Sequence, residues 1–294
     1  MVIRLPDPTI SGETVRTIAQ VLKQATQPLT NRTALPRLEA ELLLAFVLDT
    51  PRSHLFAWPE QRLNPDQLKR FQLLLARRLR GEPAAYLTGS KEFWSLELKV
   101  TPATLIPRPE TEQLVERALQ RTPSDRPFSV ADLGTGSGAI AAAIASERPL
   151  SAVIATDSSS PALIVARQNF RKHGLRNIRC ILGSWCEALP RHRKFDLIVS
   201  NPPYVATGDP HLQADGLPWE PANALTAGKD GLDDIRRIVK TAHPHLNPEG
   251  WLLLEHGFDQ GSAVRGLLQQ AGYQRICTLR DLEGRERISE ASTP

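Results

Sequence analysis

Apolar positions change their spacing twice along the chain. Up to about residue 82 they recur at helical intervals. Ser11 predicts the cap of a helix running to about Ala25, and Pro36 fits the first position of a second, with Leu38, Leu42, Ala45, Val47 and Leu48 along one stripe. Asn64-Pro65-Asp66 starts a third, which carries Leu68, Phe71, Leu74 and Leu75 and stops at Gly81, a natural residue to follow a helix. Residues 1–82 therefore read as a small helical bundle. From 83 to 108 the spacing shifts to two: E-F-W-S-L-E-L-K-V (Glu92 to Val100) alternates like a strand and predicts a β-hairpin linker.

Residues 109–294 read as a second domain. After a helix in E-Q-L-V-E-R-A-L and the turn-rich P-S-D-R-P, apolar strand runs and helices alternate. The strands are V-A-D-L-G-T, A-V-I-A-T-D, I-R-C-I-L-G, F-D-L-I-V-S and W-L-L-L-E-H, with a final pair around Arg275 to Leu279 and Arg285 to Ile288. That alternation predicts an α/β fold with a mostly parallel, doubly wound sheet.

Composition narrows the class. The chain has 294 residues, 23% charged and 41% hydrophobic, ordinary for a soluble globular protein. Leu42 to Leu48 and Ala139 to Ala145 are too short to span a bilayer, and M-V-I-R-L-P-D-P-T has no apolar signal core. Three cysteines (Cys180, Cys186, Cys277) with no C-x-x-C pair fit a reducing cytoplasm rather than a disulfide framework or zinc site. His243, His245 and His256 lack metal-ligand spacing, so no metal is expected. A net charge of +4 mildly favours an acidic partner, although the runs Arg77 to Arg80 and Arg191 to Lys194 read as solvated faces.

Two segments carry candidate chemistry. D-L-G-T-G-S-G-A sits between a predicted strand and a predicted helix, where Gly134, Gly136 and Gly138 permit a sharp turn and close approach of a ligand. Asp157 ends the next strand, where a carboxylate can accept both hydroxyls of a ribose. This pattern suits S-adenosylmethionine and dinucleotides alike, since Gly134, Gly136 and Ala139 also fit the nicotinamide form.

The second segment is N-P-P-Y, Asn201 to Tyr204, at the end of the fourth sheet strand. Asn201 offers a side-chain carbonyl and Pro202 a backbone carbonyl; Pro203 stiffens the turn, and Tyr204 offers a flat face. Together they suit a planar group carrying NH₂, whose nitrogen is a weak nucleophile until acceptors on both hydrogens push density back onto it.

These segments, with R-L-E-A-E-L-L-L-A-F-V-L, G-E-P-A-A-Y-L-T-G, L-I-P-R-P-E-T-E, G-L-D-D-I-R-R-I, L-L-E-H-G and D-L-E-G-R-E-R, make nearly the whole chain resemble the bacterial release factor glutamine methyltransferases. The resemblance implies a class I S-adenosylmethionine-dependent methyltransferase fold, Rossmann-like with an antiparallel last strand. It implies S-adenosylmethionine as methyl donor and methylation of the glutamine amide in the Gly-Gly-Gln motif of class I peptide chain release factors. By motif match, Gly134, Thr135, Gly136, Ser137 and Gly138 hold the cofactor, Asp157 its ribose and Trp185 its adenine. Asn201, Pro202, Pro203 and Tyr204 hold the glutamine, with Asn201 also beside the cofactor. Ser184 stands where the family often has an acid, which bears on cofactor affinity. Arg108, Glu110 and Glu112 carry substrate, lid or plain helix-start roles. The helical domain contacts the release factor, and the enzyme is expected to be a cytoplasmic monomer requiring no nucleic acid. The competing readings are an adenine or guanine amino methyltransferase, an idle cofactor-binding module that docks on a translation factor, and a nicotinamide dehydrogenase.

Overall fold

The computed structural model describes residues 16–294. Among them the chain divides into two compact units, one ending at Thr88 and the other Gly89–Pro294. The expected helix start at Ser11 lies outside the described residues.

The first unit is helical. Its elements are α1 (Ile18–Leu29), α2 (Pro36–Leu48), α3 (Arg52–Ala57), α4 (Pro65–Leu79) and α5 (Ala84–Thr88). Thr17 caps α1 and Asn64 caps α4, each in a reciprocal box with a glutamine three residues on, so two orphan N–H groups are satisfied at each start. Ile18, Val21 and Leu22 pack with Leu43, Leu44, Val47 and Phe71 in one apolar core. The short helices α3 and α5 are additions to the sequence reading; α5 occupies residues expected to begin the linker. The Arg77 to Arg80 run is also not a plain solvated face. Arg78 is 1% exposed and pairs with Glu39 at 2.6 Å, while Arg77 pairs with Glu82 at 2.6 Å.

The second unit opens with the hairpin β1 (Ser90–Phe93) and β2 (Leu96–Lys99), then α6 (Thr111–Arg121). There follow β3 (Phe128–Leu133), α7 (Ala139–Glu147), β4 (Ser151–Asp157), α8 (Ser160–Lys172), β5 (Ile178–Leu182) and β6 (Phe195–Ser200). The chain closes with α9 (Asp233–Ala242), β7 (Leu246–Glu255), α10 (Gly261–Gln270), β8 (Gln274–Arg280) and β9 (Glu286–Ser292). Among the described residues the main sheet has seven strands in the order β5-β4-β3-β6-β7-β9-β8. β3 to β7 run parallel, and β9 lies antiparallel to both β7 and β8.

Both faces of this sheet are covered, which is why its central strands are apolar without alternation. Leu197 and Val199 of β6 face a core with Leu114, Val115 and the alanine-rich α7; Ile198 faces the opposite core, with Ile235, Ile238 and Val264. The run A-I-A-A-A-I-A is buried all round, and its small side chains let α7 lie close to the sheet. Arg117 and Arg121 of α6 both pair with the buried Glu290 of β9, tying the last strand to the helix that starts the domain.

Candidate active site

The C-terminal ends of β3 and β6 are neighbours in the sheet, and the two sequence segments of interest leave from them side by side. This is where the strand order reverses direction, the place where open α/β sheets leave a crevice. Ser200 Oγ donates to the Leu133 carbonyl at 2.7 Å and pins the two strand ends together.

After β3 the backbone turns through left-handed conformations at Gly134 (φ 72°) and Gly136 (φ 56°), which any other L-residue adopts only with strain. A Cβ on Gly134 would stand 2.8 Å from the Trp185 ring, whereas one on Gly136 would meet open space. Thr135, Ser137 and Gly138 do not line the crevice. The Thr135 hydroxyl donates to Asp132 Oδ2 at 2.6 Å, the Ser137 carbonyl accepts from Asn169 at 2.8 Å, and Gly138 packs on Phe170. They shape the turn. Asp132 is wholly buried; Oδ2 also takes the Ala141 N–H at 3.2 Å, Oδ1 has no partner, and burial pushes its carboxyl up to about 7.

Asp157 closes the turn. Its Oδ2 accepts the Gly136 N–H and its Oδ1 the Ser159 N–H, both at 2.8 Å, and burial raises its pKa. One donor on each oxygen leaves further lone pairs free for a ligand. Trp185 stands across from Gly134 with its indole Nε1–H donating to Asp234 Oδ1 at 3.1 Å. It is half-buried, lining the cavity while packing against the core beneath. Ser184 lines the same cavity, and Asp234 enters it from the first turn of α9.

A cavity of about 320 Å³ thus forms, walled by Gly134, Gly136, Asp157, Trp185, Asn201 and Pro203. A second, of about 210 Å³, is walled by Asn201, Pro202, Pro203, Tyr204, Arg108 and Leu217. Asn201 and Pro203 belong to both, together with Leu105 and Ala224, so the N-P-P-Y turn forms part of the partition between them. The segment before α6 lines both cavities through Leu105 and is held by Glu220, 7% exposed, which accepts the Ile106 N–H at 3.0 Å and Arg108 Nη2 at 2.5 Å.

Behind the partition, Asn201 Nδ2 donates to Thr111 Oγ1 at 3.0 Å, and the Tyr204 hydroxyl lies 3.4 Å from Glu255 Oε1. Burial pushes the Tyr204 phenol above its usual range. Glu112 turns away from the cavities and accepts the Trp94 N–H at 2.9 Å, bracing the hairpin, while Glu110 stands just before α6. Thr111, Glu255 and Asp234 are the site residues the sequence reading did not single out. Each sits inside a quoted motif (P-R-P-E-T-E, L-L-E-H-G, G-L-D-D-I-R-R-I), which was the only signal available for them. Among the described residues no helix is long and apolar enough to cross a membrane, and no cluster of three His, Cys, Asp or Glu could hold a metal ion.

Known proteins are similar to this chain. Residues 20–89 match the family model described as PrmC N-terminal domain, and residues 111–215 the one described as Methyltransferase small domain. The release factor glutamine methyltransferase of Coxiella burnetii is 50% identical over 93% of this chain and 98% of its own length. The one from Vibrio cholerae is 47% identical over 93% of this chain and 96% of its own. The T. thermophilus 16S rRNA N2 G1207 methyltransferase, solved with AdoMet and guanosine, shares the fold: TM-score 0.53 at 20% identity, covering 70% of this chain and 50% of that one.

Proposed function

The chain belongs to the release factor glutamine methyltransferase family, and from that premise we propose that it moves a methyl group from S-adenosylmethionine to the side-chain amide nitrogen of a release factor glutamine, across the partition formed by Asn201 to Tyr204. The observation that carries this reading is that partition: one turn with two carbonyl acceptors, shared by a cavity of cofactor size and a smaller one beside it.

The larger cavity fits S-adenosylmethionine. Gly136 leaves room against its backbone, Asp157 keeps free lone pairs for a ribose diol, and the Trp185 indole offers a flat wall for adenine. Thr135, Ser137 and Gly138 support it by shaping the turn. When bound, the cofactor supplies a methyl group on a sulfonium centre.

The chain's own residues act on the acceptor. Asn201 Oδ1 and the Pro202 carbonyl each accept one N–H of the glutamine amide, Pro203 fixes the direction of that carbonyl, and Tyr204 bounds the side-chain plane. With both hydrogens held, the amide nitrogen is free to pyramidalise, and the two hydrogen bonds strengthen as positive charge develops on it. The alkylated nitrogen is acidic and loses a proton without a strong base. The substrate is the glutamine of the Gly-Gly-Gln motif of class I release factors, which places the enzyme in translation termination. The helical unit is the part offered for docking on the release factor; it leaves Phe46, Phe56 and Trp58 exposed. The protein acts as a cytoplasmic monomer without nucleic acid.

The test is methyl transfer from labelled S-adenosylmethionine to purified release factor, to release factor whose motif glutamine is alanine, and to total RNA and DNA. Label should enter the first alone. Label in nucleic acid but not in release factor would sink the reading in favour of a base amino methyltransferase.

A further inference from the structure

A side-chain amide can face a cavity with its oxygen or with its NH₂, and only one of these serves an acceptor role. In Asn201 the choice is already made. Its Nδ2 is committed to Thr111 Oγ1, and Thr111, 4% exposed at the first position of α6, is fixed by the helix. With NH₂ turned inward, Oδ1 is the atom left for the cavities. The opposite orientation would set N–H against the N–H of an incoming amide.

Thr111 Oγ1 accepts from Asn201, so its own proton must go elsewhere. Glu255 ends β7, 2% exposed; its Oε1 accepts from the Tyr204 hydroxyl at 3.4 Å, and the Thr111 hydroxyl bears on the same carboxyl. One buried carboxyl therefore backs both ends of N-P-P-Y: Asn201 through Thr111, and Tyr204 directly. We propose that Thr111 and Glu255 are positioning residues for methyl transfer, Thr111 fixing which atom of Asn201 meets the substrate amide and Glu255 holding Thr111 and Tyr204 in register. Neither residue lines either cavity, so both act through others. This rests on the acceptor role given above to Asn201.

The charge state of Glu255 is part of the device. Burial pushes its carboxyl up to about 7, and Glu110 adds to the rise. The Thr111 and Tyr204 hydroxyls and Arg287 of β9 oppose it. A carboxylate accepts from both hydroxyls, whereas a protonated carboxyl gives up one acceptor position.

The experiment uses the full chain, purified release factor and labelled S-adenosylmethionine, with Thr111→Val, Thr111→Ser and Glu255→Gln beside wild type. Thr111→Val, which keeps the shape and removes the hydroxyl, should lower kcat on the order of 10- to 100-fold, as a misplaced reacting group does. Its affinity for S-adenosylmethionine by calorimetry should stay within about threefold of wild type, about 0.65 kcal/mol. Thr111→Ser should restore kcat to within about threefold, a similarly small change in barrier. Wild-type kcat should rise with pH through neutrality as Glu255 ionises, and Glu255→Gln should flatten that rise. An unchanged kcat in Thr111→Val overturns the proposal, as does a Thr111→Ser as slow as the valine variant, which would make the methyl group the part that matters. A loss that tracks cofactor affinity overturns it too. If wild type labels no release factor, it is the function that fails, a result distinct from any of these. Should Glu255→Gln not fold, the threonine pair decides alone.

Discussion

The two turns that meet at the site are built by opposite means. The glycine turn after β3 is shaped largely by nearby chain: Thr135 answers Asp132 three residues away, and Asp157, 21 residues beyond Gly136 at the end of the adjacent strand, closes it. The N-P-P-Y turn after β6 borrows its shape from far away, from Thr111 90 residues before Asn201 and Glu255 51 residues after Tyr204. A turn that removes side chains to admit a ligand needs little help from its surroundings. A turn that must aim particular oxygens at a substrate needs partners behind each of them.

The contrast can be broken at either turn. The largest effect is expected from Asn201→Ala, which should cut single-turnover methyl transfer by at least about 100-fold, as loss of a transition-state acceptor does. Cofactor affinity measured by calorimetry should fall far less, and unchanged turnover would refute the role given to Asn201. Gly134→Ala should do the reverse. Its Cβ would stand 2.8 Å from the Trp185 ring at φ 72°, so cofactor affinity should drop about 10-fold. Tryptophan fluorescence should change with it, while kcat at saturating cofactor should stay near wild type; an unaffected affinity would mean that the indole wall yields.

The next effect is on stability and concerns Asp132. Its folded-state pKa is raised to about 7 by burial, above its unfolded value, so the folded state holds the extra proton. That contribution is fully present below about pH 4 and is lost as pH rises towards 7. The urea midpoint of wild type minus that of Asp132→Asn should therefore fall between pH 4 and 7; a difference that grew or stayed flat would show an ionised Asp132 throughout. Smallest of all, Asp234→Asn keeps an oxygen for the Trp185 indole N–H. It should change the S-adenosylmethionine dissociation constant by less than about threefold, against about 10-fold for Asp234→Leu, which leaves that N–H unanswered. Equal effects would deny the hydrogen bond at 3.1 Å any part in holding the indole.

What could be read in the chain beforehand follows the same division. Alternating runs and glycine positions are local signals, and they located the strands of the sheet, the glycine turn, Asp157 and N-P-P-Y. Helices α3 and α5, of six and five residues, are too short to leave a periodic stripe. Burial of Arg78 depends on Glu39 across the bundle, 39 residues away, and nothing near Arg78 betrays it. Thr135, Ser137 and Gly138 sit in the motif yet meet Asp132, Asn169 and Phe170 behind it, while Gly134 and Gly136 line the cavity. Thr111 and Glu255 were visible as letters in motifs. Their purpose was not, because it exists only once α6, β6 and β7 are packed together.

The pairing of β3 with β6, whose joined ends lie 67 residues apart, has a consequence for the life of the newly made chain. The helical unit holds itself together by short-range contacts and can condense early in synthesis. The catalytic cleft cannot. A chain released just after β6 would carry both turns but lack Glu255, and it would also lack Glu290, which anchors the last strand to α6 through Arg117 and Arg121. The residues that complete the site follow both turns in the chain, so a chain ended between them would carry a folded helical bundle and an incomplete site.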